Sequence, residues 1–189
     1  PGEKSGVYPS TAWKMKTYKK PWLPGETVSA SIGQGYFLAT PLQVANATAI
    51  LANAGNHLTP HLLSKTTGAV KYSLANKPDG KIPFRGTEQD WLNMQTAMEL
   101  TVKSGTAKGV YTDRYRFAGK TGTAQVKSIA QGKRYNEAAL SERHRDHGWF
   151  IAFAPVDNPQ IAVAVIVENG RGGSKVAPIA RKAIDYWLL

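Results

Sequence analysis

Two apolar runs separated by a four-residue turn constrain the fold of this chain more than any other feature. The runs cover residues 147–155 and 160–168, and Val156-Asp157-Asn158-Pro159 joins them. Apolar runs of this length, bounded by turn residues, are typical of buried β-strands, and a short connection makes them neighbours in an antiparallel hairpin. The longest uninterrupted apolar stretch, residues 161–167, is too short to span a membrane as a helix. The sequence therefore predicts a β-hairpin at the centre of a globular fold.

A third strand and a C-terminal helix can be placed beside this hairpin. Residues 117–126 form a run of small residues that predicts a strand. A helix is predicted from about Val176 to Trp187, because its apolar residues recur at helical spacing. Three strands with a helix packed on them predict an α+β fold with an antiparallel sheet. The residues expected on the buried face of this helix are Ile179, Ala183, Ile184 and Trp187.

Two further helices are predicted upstream of the strands. Thr40-Pro41-Leu42-Gln43 combines a capping residue, a proline at the first helical position and a glutamine that completes a capping box. The alanine-rich stretch to Ala54 predicts a buried helix of about 14 residues, which Gly55 ends in a left-handed conformation. Thr87 caps the second helix, since acidic residues and helical periodicity follow it. The predicted core stripe of that helix is Trp91, Met94, Met98 and Val102.

Other segments show no clear period. Residues 1–31 are rich in proline, lysine and aromatic residues, and we expect an ordered loop there. Residues 57–84 predict short strands or loops at the periphery, and residues 127–147 predict a long polar excursion between strands. Gly33-Gln34-Gly35 lacks the third glycine of a dinucleotide-binding loop, so it predicts a turn that leads into the Thr40 helix.

The charge balance leaves a second class of function open. The chain has 24 Lys and Arg against 13 Asp and Glu, a net charge of +11, and residues 4–25 contain five lysines and no acid. A surplus of this size is compatible with a non-enzymatic binding module for an anionic polymer. Elsewhere the basic residues are scattered and often lie beside acids, which favours a solvated surface. The absence of cysteine excludes disulfides, thiol catalysis and Cys-ligated zinc within these residues.

The residues best suited to chemistry are Lys120-Thr121-Gly122-Thr123, on the predicted strand of small residues. Alternation along a strand places Lys120 and Gly122 on one face and the two threonines on the other. At a sheet edge such a strand can pair with an extended ligand through its backbone, and a glycine allows close approach. A lysine can supply positive charge, and a threonine hydroxyl can bind a carboxylate. The triplet alone is also compatible with an ordinary strand that carries a solvated lysine.

The surroundings of this tetrad carry a family resemblance. Lys-Thr-Gly is the third signature of serine penicillin-recognising enzymes. Its context here closely resembles the end of the transpeptidase domain of class B penicillin-binding proteins, and some segments are most similar to the elongation-type enzymes of Gram-negative bacteria. The resemblance covers the whole chain in order. The segments that carry it are residues 23–26, 32–36, 40–45, 105–107, 120–125, 147–155, 157–159, 161–165 and 167–170.

The resemblance implies the fold of the penicillin-recognising serine transpeptidases and an acyl-transfer reaction. D-Ala-D-Ala stem peptides of peptidoglycan would be cross-linked through a serine acyl-enzyme, and β-lactams would acylate the same serine. Lys120 would supply charge and hydrogen bonds near the catalytic serines, while Thr121, Gly122 and Thr123 would bind the substrate. The N–H of Thr123 would form half of the oxyanion hole, so Lys120 and Thr123 are the candidate catalytic residues. No cofactor or metal is implied.

The chain departs from the family at its nucleophile. Neither a Ser-x-x-Lys nor a Ser-x-Asn motif occurs. Thr11-x-x-Lys14 and Thr17-x-x-Lys20 have the spacing with threonine, but they follow the position that the nucleophile should occupy. We therefore expect residues 1–189 to be the C-terminal half of a transpeptidase domain, inactive without the preceding half. A hydrolytic relative on the same fold, a carboxypeptidase or β-lactamase, stays open as an alternative.

The resemblance also implies partners and a location. The parent protein would lie at the periplasmic face of the bacterial inner membrane, anchored by an N-terminal helix outside this chain. Its partners would be the peptidoglycan stem peptide, β-lactams, the upstream half of the same domain and a membrane glycosyltransferase of the elongation machinery, with no nucleic acid. The fold would place five strands in the sheet, of which only three can lie here. The strand at residues 160–168 would then expose an apolar edge, which predicts aggregation of the isolated chain.

Histidine pairs offer a weaker alternative site. His57 and His61 have a ligand spacing, but a proline separates them after the end of a helix. His144, Asp146 and His147 could hold a metal only if a fourth ligand were nearby. We interpret His57 and His61 as loop or core residues and His147 as a packing residue at the edge of a cleft.

Overall fold

The computed structural model of the chain describes residue 2 and residues 4–63, 80–126 and 140–189. Its helices are α1 (Thr11–Tyr18), α2 (Pro24–Ser31), α3 (Pro41–Ala52), α4 (Glu88–Lys103) and α5 (Gly173–Leu188), with 3₁₀ turns at Lys108–Val110 and Glu142–His144. Its strands are β1 (Asn56–His57), β2 (Gly80–Lys81), β3 (Ala118–Ala124), β4 (His147–Ala154) and β5 (Ile161–Val167). Helices and antiparallel sheets together confirm the predicted α+β class.

The main sheet has the order β3-β4-β5, with all neighbours antiparallel. Gly122 lies opposite Trp149, and Gly148 lies opposite Val167. The predicted hairpin is confirmed as β4 and β5, and the predicted third strand is confirmed as β3. Within the described residues, β3 and β5 each lack a strand partner on their outer edge.

Helices cover both faces of this sheet. On one face, Val176 and Ile184 of α5 pack in a core cluster with Phe150 and Ala152 of β4. On the other face, Met98 of α4 joins a second cluster around α3, β3 and β4. Other members of this second cluster are Ala52, Ala118 and Phe153. Helices on both faces bury the middle strand: Phe150, Ala152, Phe153 and Ala154 of β4 are fully buried.

The predicted loop at residues 1–31 is wrong, because this segment contains α1 and α2. Ser10 caps α1 by accepting a hydrogen bond from the N–H of Trp13 at 3.1 Å. Pro24 begins α2, and the carboxylate of Glu26 accepts from the N–H of Leu23 at 2.7 Å. Both helices have eight residues and little amphipathic character, so local capping defines them rather than an apolar period.

The two upstream helices begin where the capping residues predict. The side chains and N–H groups of Thr40 and Gln43 exchange hydrogen bonds of 3.2 and 2.9 Å, and Thr87 and Asp90 form the same kind of box. Gly55 has the predicted left-handed φ of 87°, but α3 has 12 residues and ends at Ala52, with Asn53 as its C-cap, two residues before the predicted end. The description of α3 as fully buried is wrong, because only Thr48 and Ala52 are buried along it.

Two predicted core stripes are partly wrong. In α4, Met98 and Val102 are buried, but Met94 is 42% exposed. The buried face of α4 also includes polar residues. Gln95 is one of them, and its Nε2 donates to the carbonyls of Leu51 and Ala52, both at 3.0 Å. In α5 the buried face is rotated from the prediction. Ile184 is buried, whereas Ile179, Ala183 and Trp187 are exposed. The buried residues of α5 are Gly173, Val176, Ala177, Ala180 and Ile184.

The peripheral segments are described only in part. β1 and β2 form a two-stranded antiparallel sheet, as the prediction of short peripheral strands requires, but residues 64–79 lie outside the described residues. The predicted polar excursion also falls mostly outside them, at residues 127–139. Among the helices that are described, none is both long and apolar enough to span a membrane.

Candidate active site

The tetrad Lys120–Thr123 lies on β3, at an edge of the main sheet. In the register with β4, Lys120 is opposite Ile151 and Thr121 is opposite Phe150. Since side chains alternate along a strand and Phe150 belongs to the α5 face, the two threonines project on the α5 side. Lys120 and Gly122 share the opposite face with Trp149 and Ile151, as the alternation predicts.

The backbone of the tetrad presents polar groups at the outer edge of β3. The carbonyl of Thr123 accepts a hydrogen bond from Gln34 Nε2 at 2.9 Å, and the carbonyl of Thr121 accepts one from Lys120 Nζ at 2.9 Å. These carbonyls therefore point away from β4. In an antiparallel ladder the N–H and C=O of one residue point to the same side. The N–H of Thr123 consequently faces outward as well, towards a cleft.

A cleft of about 530 Å³ is lined by residues 120–124 of β3 and extends over the Lys120 and Gly122 face of the sheet to Trp149, Ile151 and Ile166. One wall consists of residues 120–124 with Trp149 of the neighbouring strand, and the other includes Gly33 and Gln34 from the turn after α2. The apolar part of the lining comes from Ile32, Phe37, Leu38, Val44, Ile151 and Ile166. An edge strand that borders a partly apolar cleft can pair with an extended ligand while the cleft receives its side chains.

The side chains of the tetrad differ in their contacts. Lys120 and Thr123 are exposed, whereas Thr121 and Gly122 are half-buried. The hydroxyl of Thr121 shares a hydrogen bond of 3.0 Å with the hydroxyl of Thr106, which lies in the loop after α4. Thr106 therefore connects this loop to the candidate site, and a ligand has readier access to the hydroxyl of Thr123.

The N-terminal end of α5 packs closely against the backbone of β3 and β4. A Cβ atom built on Gly173 would lie 2.1 Å from the carbonyl oxygen of Trp149 and 2.6 Å from the nitrogen of Gly122. Only glycine allows the helix backbone to approach the strands this closely. A Cβ on Gly148 would lie 2.6 Å from Val176, so the contact with α5 is tight along β4 too. The position of the tetrad thus depends on this helix.

His147 lines the cleft, which agrees with its interpretation as a cleft-edge residue. Its Nδ1 accepts a hydrogen bond from the N–H of Asn169 at 2.9 Å, so the proton of the neutral ring lies on Nε2. In the part of the chain that the structure describes, no group of three His, Asp or Glu residues could hold a metal ion. His57 Nε2 contacts Asn46 Nδ2 at 3.3 Å, and His61 Nδ1 lies 3.2 Å from the carbonyl of Thr59.

Thr11-x-x-Lys14 lies within α1, whereas Thr17-x-x-Lys20 begins in α1 and ends beyond its C-cap, Lys19. None of these four residues lines the cleft. Lys14 is buried and pairs with Glu26 of α2, and its ammonium also lies 5.9 Å from the centre of the Tyr36 ring. The hydrogen bond from the N–H of Leu23, followed by that from Lys14, holds the pKa of Glu26 below its usual value. Lys14 is thus a structural residue. Ser73 lies outside the described residues.

Sequence reasoning missed one functional candidate, Gln34. The sequence placed Gln34 in segment 32–36, which carries the family resemblance, and predicted a turn at Gly33-Gln34-Gly35, but it gave Gln34 no role in the site. The turn is present, since both glycines have a φ of 73°. The side chain between them nevertheless reaches the tetrad across 89 residues of sequence. A single polar residue flanked by two glycines was the available signal, but its target could not be found without the fold.

Comparison with known proteins gives the family. The family profile described as the penicillin-binding protein transpeptidase domain matches residues 1–185. The chain is 60% identical over 189 residues to the peptidoglycan D,D-transpeptidase MrdA of Acinetobacter baumannii, covering 100% of this chain and 28% of that protein. It thus spans less than a third of the length of this curated relative.

Solved structures agree with this assignment. A crystal structure of Pseudomonas aeruginosa PBP2 in complex with WCK 5153 is similar with a TM-score of 0.82 and 43% identity, over 100% of this chain and 39% of that one. A complex between PBP2 and MreC from Helicobacter pylori gives a TM-score of 0.78 and 31% identity, over 96% of this chain and 31% of that one. The chain therefore belongs to the penicillin-binding protein transpeptidase family and is most like its class B, PBP2-type members.

Proposed function

We propose that this chain is the C-terminal half of the transpeptidase domain of a peptidoglycan D,D-transpeptidase. This half contributes β3, the strand that binds the substrate. The observation that carries the proposal is the outer edge of β3, where the backbone of Thr121 and Thr123 faces a cleft beside Lys120. The similarity to the peptidoglycan D,D-transpeptidase of Acinetobacter baumannii supports it. The chain spans 28% of that relative, so the activity belongs to the longer protein in which these residues act.

The reaction is an acyl transfer in two steps. A serine Oγ from the upstream half attacks the carbonyl carbon between two D-alanines, and the carbonyl oxygen becomes an oxyanion. The C–N bond then breaks, the terminal D-alanine leaves with a proton, and an acyl-enzyme remains. The amine of a second stem peptide attacks this ester, loses a proton and releases the serine, so that a new amide bond forms.

Each residue of the tetrad has a proposed role. The N–H of Thr123 donates to the oxyanion, which is where a donor fixed in advance lowers the barrier most. The ammonium of Lys120 supplies positive charge near the nucleophile and the substrate carboxylate. The hydroxyls of Thr123 and Thr121 help to bind that carboxylate, with Thr121 also held by Thr106. Gly122 permits close approach of the substrate backbone.

The proposed domain organisation follows from the same chemistry. Residues 1–189 supply one half of the oxyanion hole but no serine nucleophile motif, so the upstream half of the domain completes the site. We place the parent protein on the periplasmic side of the inner membrane, where its substrate is found, with a membrane glycosyltransferase of the elongation machinery as a partner. The PBP2 of Helicobacter pylori has been solved with MreC, which supports work within such an assembly.

The test uses the longest natural polypeptide that contains residues 1–189 and, in parallel, the isolated chain. Each is treated with a fluorescent penicillin, and adducts are mapped by mass spectrometry. We expect an adduct on a serine that precedes residue 1 and none within this chain. An adduct within residues 1–189 would contradict the proposed division of the domain.

Three other outcomes separate the alternatives. A folded parent that gains no adduct would contradict the transpeptidase function, and salt-sensitive binding to an anionic polymer would then favour the binding-module hypothesis. Rapid release of the penicillin product by hydrolysis would instead favour a β-lactamase, and release of D-alanine without cross-linking would favour a carboxypeptidase.

A further inference from the structure

We propose that Gln34 is a positioning residue for the N–H of Thr123, and this inference rests on the acyl-transfer function proposed above. Gln34 would act through the strand and would not touch the reacting atoms. Its side-chain amide holds the outer edge of β3 in the orientation that the oxyanion requires. The proposal is based on the hydrogen bond of 2.9 Å from Gln34 Nε2 to the carbonyl of Thr123.

The turn that presents Gln34 is held by its own backbone. The N–H of Gln34 donates to the carbonyl of Ser29 at 2.9 Å, and the N–H of Gly33 donates to the carbonyl of Ala30 at 3.1 Å. Gly33 and Gly35 both have a φ of 73°, which other residues rarely adopt. The backbone of Gln34 therefore has a defined position. From this position its side-chain amide reaches the carbonyl of Thr123 on β3.

At Thr123, the backbone of β3 requires a hydrogen bond on its outer edge to fix its orientation. Its outer edge has no strand partner in the described part of the chain, so ladder hydrogen bonds fix its peptide planes from one side only. The bond from Gln34 restrains the peptide plane that follows Thr123, and hence the backbone torsions of Thr123 itself. The N–H on the same edge is then oriented before substrate binds, which is the condition under which a donor is most effective.

The same bond selects which group of Thr123 is available. Its carbonyl already accepts from Gln34, whereas its N–H points outward beside it. A ligand that pairs with this edge therefore meets a donor at Thr123 and no competing acceptor. That matches the need of a carbonyl oxygen that gains negative charge as the serine attacks.

The first variant is Gln34→Met in the natural polypeptide that contains this chain, because methionine keeps the side-chain length and removes the amide donor. Varying the penicillin concentration separates the noncovalent dissociation constant from the first-order acylation rate constant. We expect the rate constant to fall about tenfold and the dissociation constant to change by less than about twofold. An unchanged rate constant would overturn the inference, and so would a loss confined to the dissociation constant.

The matched control is Gln89→Met on the exposed side of α4, where the Gln89 amide donates to Asn93 Oδ1 at 3.0 Å. This variant loses a side-chain hydrogen bond of similar length and should be acylated like the wild type. Acylation of the wild type also separates the two proposals. No adduct on the folded wild type overturns the proposed function, whereas equal acylation of wild type and Gln34→Met overturns the role of Gln34 alone.

A second variant remains decisive if Gln34→Met is unstable. In Gln34→Glu the ionised carboxylate cannot donate to the Thr123 carbonyl, but the protonated acid can. The acylation rate constant of Gln34→Glu, divided by that of the wild type, should therefore rise several-fold as the pH falls from about 7 to about 5. A merely structural defect would give a ratio that does not depend on pH, and that result would overturn the inference.

Discussion

Lys120 places an ammonium at the exposed edge of β3, where its Nζ donates a hydrogen bond of 2.9 Å to the carbonyl of its neighbour, Thr121. This contact is local and leaves the side chain able to turn towards a ligand. If Lys120 acts on the nucleophile and the substrate, Lys120→Ala should lower the penicillin acylation rate by about 10² or more without unfolding the protein. Lys108→Ala, an exposed lysine after α4, is the control and should retain the wild-type rate. Equal acylation rates for both variants would contradict the proposed role of Lys120 in the site.

Glu99 is a residue whose contribution to stability depends on pH. Arg116 donates to both carboxylate oxygens at 2.8 Å, and this hydrogen bonding lowers the pKa of Glu99 to about 2 despite burial. Because the folded pKa lies below the unfolded value, the stabilisation is complete above about pH 5 and is lost as the pH falls towards 2. Solvent screens the exposed Arg116, so the pair stabilises the protein less than a fully buried ion pair with the same pKa shift would.

The measurement is the melting temperature between about pH 6 and pH 3. Glu99→Gln should lower it at the upper end of this range and flatten its dependence on pH. Glu88→Gln, at an exposed position of the same helix, should leave the pH dependence nearly unchanged. A Glu99→Gln profile parallel to that of the wild type would contradict the assigned pKa.

At the scale of elements, the sequence predicted the parts of the fold with strong local signals. A predicted capping box located the start of α3, the Thr87 cap and the acids that follow it located the start of α4, and the paired apolar runs located β4 and β5. The short helices α1 and α2 have little apolar period, so nothing distinguished them from an ordered loop. The buried face of α5 was misplaced because its contact with the sheet uses alanines and Gly173 rather than the largest apolar residues.

The candidate site was predictable to a similar degree. A motif on one strand identified Lys120–Thr123, and alternation gave the face of each side chain. The contributions of Gln34 and Thr106 come from distant segments, and their contacts depend on how those segments pack. No period or spacing in a single sequence encodes such contacts.

The contact of α5 with the sheet leads to a prediction for this element. A methyl group at residue 173 would overlap the backbone of Trp149 and Gly122, which cannot move aside as a flexible side chain can. Gly173→Ala should therefore destabilise the protein by about 1–3 kcal/mol and slow acylation, since β3 would shift with it. Gly109→Ala is the matched control, because a Cβ there has no atom within 4 Å. A Gly173→Ala protein with wild-type stability and acylation would contradict the proposed dependence of the tetrad on α5.

At the scale of the whole molecule, the described chain has much apolar surface for its size. Exposed large residues include Leu62 and, in the N-terminal part of the chain, Tyr8, Val28 and Ile32. β5 is an apolar strand, and its outer edge has no partner strand in the described residues. Unpaired edges and apolar patches of this kind promote association unless another segment covers them. Both features agree with the proposal that a second half of the domain completes this one.

The isolated chain of residues 1–189 should therefore associate or aggregate at micromolar concentration, whereas the longer natural polypeptide should be monodisperse. The physical reason is that the outer edge of β5 presents unpaired N–H and C=O groups on an apolar strand, and such an edge is a template for pairing with another chain. Size-exclusion chromatography with light scattering, followed by thermal unfolding, measures both properties. We expect high-mass species and a broad, weakly cooperative transition for the isolated chain. A monomer with a sharp transition would mean that residues 1–189 form a complete folding unit, and the proposed division of the domain would then be wrong even if the catalytic assignment of Lys120 and Thr123 held.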